Sequence, residues 1–297
     1  MKIKKRYLFL LALLSLGYTG WNYITTPTGD QVVNYTPAKQ ECFAAGSERP
    51  WKYCIYTAAQ GVNGDIAYQL HGRNLSEQIW NDDTFYSAMM QKYFADQNIK
   101  PPTVVTVSFG PVWLLAPKNQ REKSGLLDLM INEVISTVEQ KTGAPKRRLI
   151  FGESMGGTNS LVLALNTKNL FAKAGILCPG IYKISPFAPI SEVQDFLKRT
   201  GADPKIIYGI RALGLMHVST MDEWKAISPV ELVETVDPSQ MPEFYLSAGL
   251  YDKYGNYEGA EYFQKRARER GLKVQWRPIY GGHCTVDVAS VSEFLVN

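Results

Sequence analysis

Histidine is scarce in this chain: three occur among 297 residues, at positions 71, 217 and 283. Cysteine is nearly as rare, with four, and no cysteines or histidines stand at zinc-ligand spacing. Nothing in the pattern therefore calls for a metal. Charge is sparse as well. Charged residues make up 20% of the chain, and Lys2, Lys4, Lys5 and Arg6 alone match the net charge of +4. The remainder is close to neutral and carries no basic stripe, so no nucleic-acid partner is expected. Repeats with periods of roughly 20 to 50 residues are missing, as are low-complexity tracts, which argues against solenoids and propellers.

What is present begins with a basic start, Lys2 to Arg6, followed by an apolar run from Leu8 to Leu16 that is too short to span a bilayer comfortably. Residues 1–20 read as an export signal or an uncleaved N-terminal anchor, and membrane association is expected only through that segment. Residues 21–45, polar and broken by Pro27 and Pro37, read as a linker, with the folded domain spanning 46–297. A periplasmic or secreted location agrees with the cysteines. A Cys42–Cys54 bridge would close a short loop and stabilise by roughly 3 kcal/mol in the chain-entropy model. Cys178 and Cys284 could form a second bridge or remain two buried thiols.

Along the chain, short β-rich or apolar runs alternate with helical patterns. Strands are expected at 51–58, 65–70, 103–109, 149–152, 172–178, 243–247 and 273–279. Ser76 could cap a helix reaching Phe94. Ser124 could cap another, whose Leu127, Met130, Ile131, Val134, Ile135 and Val138 form one continuous stripe. Residues 185–240, with five prolines and no strand-like alternation, read as a lid insertion. Strands alternating with helices imply an α/β domain with a mostly parallel, doubly wound sheet covered on both faces.

The chemistry gathers at 147–165. A short apolar strand runs into Gly152-Glu153-Ser154-Met155-Gly156-Gly157 and out into an apolar helix. This is the pattern of a nucleophile elbow, a turn tight enough to hold the serine in strained backbone geometry. An alcohol is a weak nucleophile near neutral pH, so Ser154 needs a base, and that base needs an orienting acid. His283, in Gly281-Gly282-His283-Cys284 after the last strand, fits the base. Asp252, which follows the expected strand 243–247 through Ser247-Ala248-Gly249-Leu250-Tyr251, fits the acid, with Asp222 and Glu258 as weaker rivals. The tetrahedral oxyanion needs N–H donors. The Met155 amide is one candidate. The Arg73 amide is the other, on a loop where Gly72 permits close approach and His71 serves as a structural tether.

Tyr68-Gln69-Leu70-His71-Gly72, Trp80, Val107-Ser108-Phe109-Gly110, the Ser154 elbow, Ser228-Pro229, Asp252 and His283 together resemble the esterase-D-like, feruloyl-esterase-like branch of the α/β-hydrolases. The resemblance runs from about residue 50 to the C-terminus, with the lid residues 185–225 outside it. It implies the α/β-hydrolase fold and hydrolysis of a carboxylic ester through an acyl-serine, with no cofactor. The expected partner is a small-molecule or carbohydrate-linked ester. Trp80, Trp113, Tyr182, Tyr251 and Tyr254 fall near strand ends and are candidates to rim the site; Met216, Met221 and Trp224 could line an acyl pocket. Transfer of the same acyl group to an alcohol, or an inert hydrolase fold used for binding, are the competing readings.

Overall fold

The computed structural model describes residues 32–297 apart from 47, 48 and 124, together with 15 and 17. The expected signal or anchor therefore lies almost wholly outside the described residues, as does the Ser124 cap. Among the described residues no helix is long and apolar enough to cross a membrane.

Eight strands form one sheet: β1 (Lys39–Ala45), β2 (Trp51–Thr57), β3 (Ile66–Leu70), β4 (Thr103–Ser108), β5 (Arg148–Glu153), β6 (Lys173–Leu177), β7 (Glu243–Gly249) and β8 (Val274–Ile279). Their order is β1-β2-β4-β3-β5-β6-β7-β8. The β1–β2 and β2–β4 pairs are antiparallel and every later pair is parallel. The chain thus has the α/β-hydrolase architecture, and the seven expected strands are all present. The eighth, β1, occupies part of the expected linker. Most of its residues are exposed, so no buried face left an apolar rhythm to read. Cys42 lies opposite Cys54 in the β1–β2 register, and the two are bridged.

Helices cover both faces. On one lie α1 (Tyr86–Asp96) and, at the far end of the chain, α9 (Val288–Val296), packing Met90, Phe94, Val291 and Leu295 against Leu149 and Phe151. On the other lie α2 (126–142), α3 (Met155–Asn166) and α8 (Asn256–Glu269), which pack against Ile150 and its neighbours. The α2 segment is continuous from Leu126–Leu129 through a π-turn, Met130–Val134, into Ile135–Thr142. Alternate residues of β5 belong to opposite cores, the period-two geometry of a strand buried on both faces. The helix expected from Ser76 to Phe94 is interrupted. After a short 3₁₀ turn at Ile79–Asn81, the Asp82 carboxylate accepts bonds from the Thr84 amide (2.9 Å) and hydroxyl (2.6 Å), a local turn that competes with helix.

Between β6 and β7 lie α4 (Ile190–Thr200), α5 (Pro204–His217), α6 (Met221–Lys225) and α7 (Pro229–Leu232). Asp203 caps α5 by accepting from the Lys205 amide at 2.8 Å, with Pro204 at the first helical position. Arg211 of α5 donates to the Pro186 and Ala188 carbonyls at 2.7 Å each, tying this helical layer to the segment that leaves β6.

Candidate active site

The ends of β5, β7 and β8 bring three distant side chains together. Ser154 follows β5 with φ 54° and ψ −117°, outside the ordinary basins for a residue with a Cβ. Strain of this kind costs about 1–3 kcal/mol and persists only where the surroundings enforce it. Here a Cβ at Gly156 would overlap the Leu70 carbonyl, so the chain must turn hard against β3. Asp252 sits in the turn after β7, its side chain fully buried. His283 sits in the loop after β8, which approaches so closely that a Cβ at Gly249 would overlap the Gly282 carbonyl.

Ser154 Oγ lies 2.9 Å from His283 Nε2, and His283 Nδ1 lies 2.9 Å from Asp252 Oδ2. A carboxylate facing Nδ1 accepts, so Nδ1 carries the proton and Nε2 presents its lone pair to the serine hydroxyl. The Tyr254 amide donates to Asp252 Oδ1 at 2.8 Å, and Asn256 Nδ2 donates to Oδ2 at 3.1 Å. The Tyr254 ring stacks on the imidazole, 3.9 Å between centroids. Cys284 is bridged to Cys178 at the end of β6, which joins the histidine loop to the strand beside β5. Of the two alternatives for these cysteines, the bridge is the one found. The rival acids stand outside this relay: Glu258 pairs with Arg199 at 2.9 Å, and Asp222 is exposed on α6. His217 stands on α5 beside Glu122.

The loop after β3 is held from two sides. His71 is buried; its Nδ1 donates to the Gly72 carbonyl (2.7 Å), which fixes the tautomer, and its Nε2 accepts from the Ser108 hydroxyl (2.8 Å). Burial lowers the pKa of this imidazole, in keeping with a neutral ring. The Gly72 amide donates to Glu153 Oε1 at 2.6 Å. That amide is therefore engaged, and Gly72 takes no part as an oxyanion donor. Arg73 and Met155 both line the pocket at Ser154.

Glu153 is the residue sequence reasoning missed. An acid inside an apolar strand directly before the serine was the available signal, because a buried carboxyl demands partners. Besides Gly72, it accepts from the Tyr86 hydroxyl at 2.9 Å. Burial pushes its pKa from the ordinary 4.5 up to about 7, and the bonds from Gly72 and Tyr86 oppose that rise. With the native pKa above the unfolded one, the native state holds a proton that the unfolded chain has lost between those values. The associated stability is complete below about 4.5 and is lost as pH rises through about 7. Glu153→Gln retains an acceptor for Gly72 and a partner for Tyr86 while removing the ionisation. Denaturant unfolding at pH 5 and pH 8 should show the variant gaining on the wild type at the higher pH, by up to about 3 kcal/mol. Identical pH slopes in the two proteins would refute the assignment.

The aromatic candidates divide. Tyr182 and Tyr254 line the pocket. Trp80 and Trp113 are corrections: Trp80 packs edge-on to Phe151 in the core on the opposite face, and Trp113 is fully buried against Phe109 and His71. Tyr251 is 60% exposed, set edge-on to Tyr280, outside the pocket lining. In these cases position near a strand end did not specify which way the ring turns. Trp224 lines the pocket, whereas Met216 and Met221 are exposed.

Fold and site together define an α/β-hydrolase, and the comparisons agree. The "Putative esterase" family model matches residues 44–290, and the chain belongs to that family of esterases. No curated protein sequence matches the chain significantly. Among solved structures, an S-formylglutathione hydrolase from Agrobacterium tumefaciens is similar at 18% identity and TM-score 0.59, covering 90% of this chain and 96% of that one. A ferulic acid esterase is similar at 16% identity and TM-score 0.61, covering 88% and 97%. Brefeldin A esterase, described as a bacterial homologue of human hormone sensitive lipase, is similar at 16% identity and TM-score 0.63, covering 97% and 85%.

Proposed function

We propose that this protein is an exported serine carboxylesterase acting through an acyl-serine intermediate, with Ser154 as nucleophile, His283 as general base and acid, and Asp252 as its orienting partner. The observation that carries the reading is the unbroken relay from Asp252 through His283 to the Ser154 hydroxyl at the mouth of a pocket. In the first half-reaction Ser154 Oγ bonds the ester carbonyl carbon and its proton passes to His283 Nε2. The bond to the alcohol then breaks, and the alcohol leaves with that proton. In the second half water repeats the sequence, giving the carboxylic acid and restoring the serine. The Met155 and Arg73 amides serve as oxyanion donors; losing one such donor typically costs on the order of 10²–10³ in rate. The basic, apolar start of the chain and its two disulfides support export.

Hydrolysis and transfer differ in their products. Incubation with p-nitrophenyl butyrate should release butyric acid and p-nitrophenol in equal amounts, even with glycerol added. Butyryl glycerol as the main product would establish the transferase instead.

A further inference from the structure

The pocket that opens at Ser154 follows one face of α3. Met155, Thr158, Asn159 and Val162 all line it, and their i, i+3, i+4, i+7 spacing places them in a single stripe. At 1.5 Å of rise per residue the stripe carries the pocket about 10 Å from the nucleophile. The facing wall comes from the helical layer between β6 and β7, with Ile207 of α5 and Trp224 of α6 among its residues. Away from the serine, Val162 and Ile227 pack with Ala116 and Val218 in a small apolar cluster. The cavity volume is about 140 Å³, roughly ten times what one water molecule needs.

Three polar side chains along this path are already bonded within the protein. Thr158 Oγ1 donates to the Ser154 carbonyl and accepts from the Gly180 amide. Asn159 accepts from the Leu115 amide and donates to the Trp113 carbonyl. Arg211, which also borders the cavity, has its guanidinium bound to two carbonyls. Asn256 Oδ1 and the Tyr182 hydroxyl are without partners; both residues sit at the relay end, where Asn256 Nδ2 bonds Asp252 and the Asp252 charge acts on Tyr182. Beyond that end the walls offer a ligand apolar surface rather than hydrogen bonds, which disfavours a sugar or a hydroxylated aryl group inside the cavity.

We propose that this cavity holds the acyl part of the ester, and that the acyl group is an unbranched aliphatic chain of medium length. An extended chain of roughly 1.5 Å bonds advances about 1.25 Å per bond, so about eight carbons fill the path. The proposal rests on Ser154 being the nucleophile. Each methylene entering an apolar cavity raises binding about threefold to fourfold, and the benefit ends where the cavity does.

The test is kcat/KM for p-nitrophenyl acetate, butyrate, hexanoate, octanoate, decanoate and palmitate. Octanoate should exceed acetate by on the order of 10³, and palmitate should fall below octanoate. Val162→Phe and Ile227→Phe, which shorten the cavity, should each lower the octanoate-to-butyrate ratio at least tenfold. The ratio is taken within one preparation, so the folded fraction cancels. Acetate at or above octanoate would overturn the assignment, as would ratios unchanged in both variants. Ester turnover surviving in Ser154→Ala would instead strike the nucleophile assignment on which the proposal stands.

Discussion

Ser154→Ala should abolish ester turnover while leaving the fold and its stability nearly untouched. The alanine keeps the Cβ, so the backbone at φ 54° is strained no more than before. The hydroxyl makes one side-chain hydrogen bond, 2.9 Å to His283 Nε2, and the His283 side chain is 22% exposed. Losing the hydroxyl costs little folding free energy but removes the atom that would form the covalent bond. Nucleophile deletions in enzymes of this type cost roughly 10⁴–10⁶ in kcat, the remainder coming from binding and oxyanion stabilisation. Purified variant and wild type compared on p-nitrophenyl butyrate, with thermal unfolding as control, would check this. Residual turnover above about a thousandth of the wild type in a folded variant counts against the assignment.

Asp252→Asn should lower kcat by about 10³–10⁴. The aspartate accepts three bonds, from His283 Nδ1, the Tyr254 amide and Asn256 Nδ2. An asparagine that keeps its oxygen toward Tyr254 turns its NH₂ toward two other donors. The imidazole answers by moving its proton to Nε2, and the lone pair that should take the serine proton is gone. Turning the amide the other way rescues the imidazole but leaves the half-buried Tyr254 amide without its acceptor. Both arrangements are worse than the native one, and no single rotamer restores all three bonds. Glu258→Gln, by contrast, disrupts ion pairs with Arg199 and Lys183 and should change kcat by less than about threefold. If the Glu258 substitution proved the more damaging, the acid would be misassigned.

Much of this was legible in the chain. The buried parallel strands announce themselves because two-sided burial leaves nearly continuous apolar runs, as in Leu149–Phe151. The elbow is legible because steric demands at Gly152 and Gly156 leave glycine as the fitting choice. Asp252 and His283 are legible because each follows a recognisable strand. Strand β1 was hidden because an exposed edge needs no apolar rhythm. The directions of Trp80, Trp113 and Tyr251 were hidden because ring orientation is set by neighbours distant in sequence. Glu153 was overlooked because its partners, the Gly72 amide and Tyr86, lie 81 and 67 residues away.

The central claim, that the residue 154 hydroxyl is the group that takes the acyl chain, is tested most directly by reaction with a fluorophosphonate followed by peptide mapping. One adduct per chain on the peptide containing Ser154, absent when His283 is replaced by alanine, is the expected result. An adduct on another residue, or no adduct in a protein that still hydrolyses esters, would contradict it.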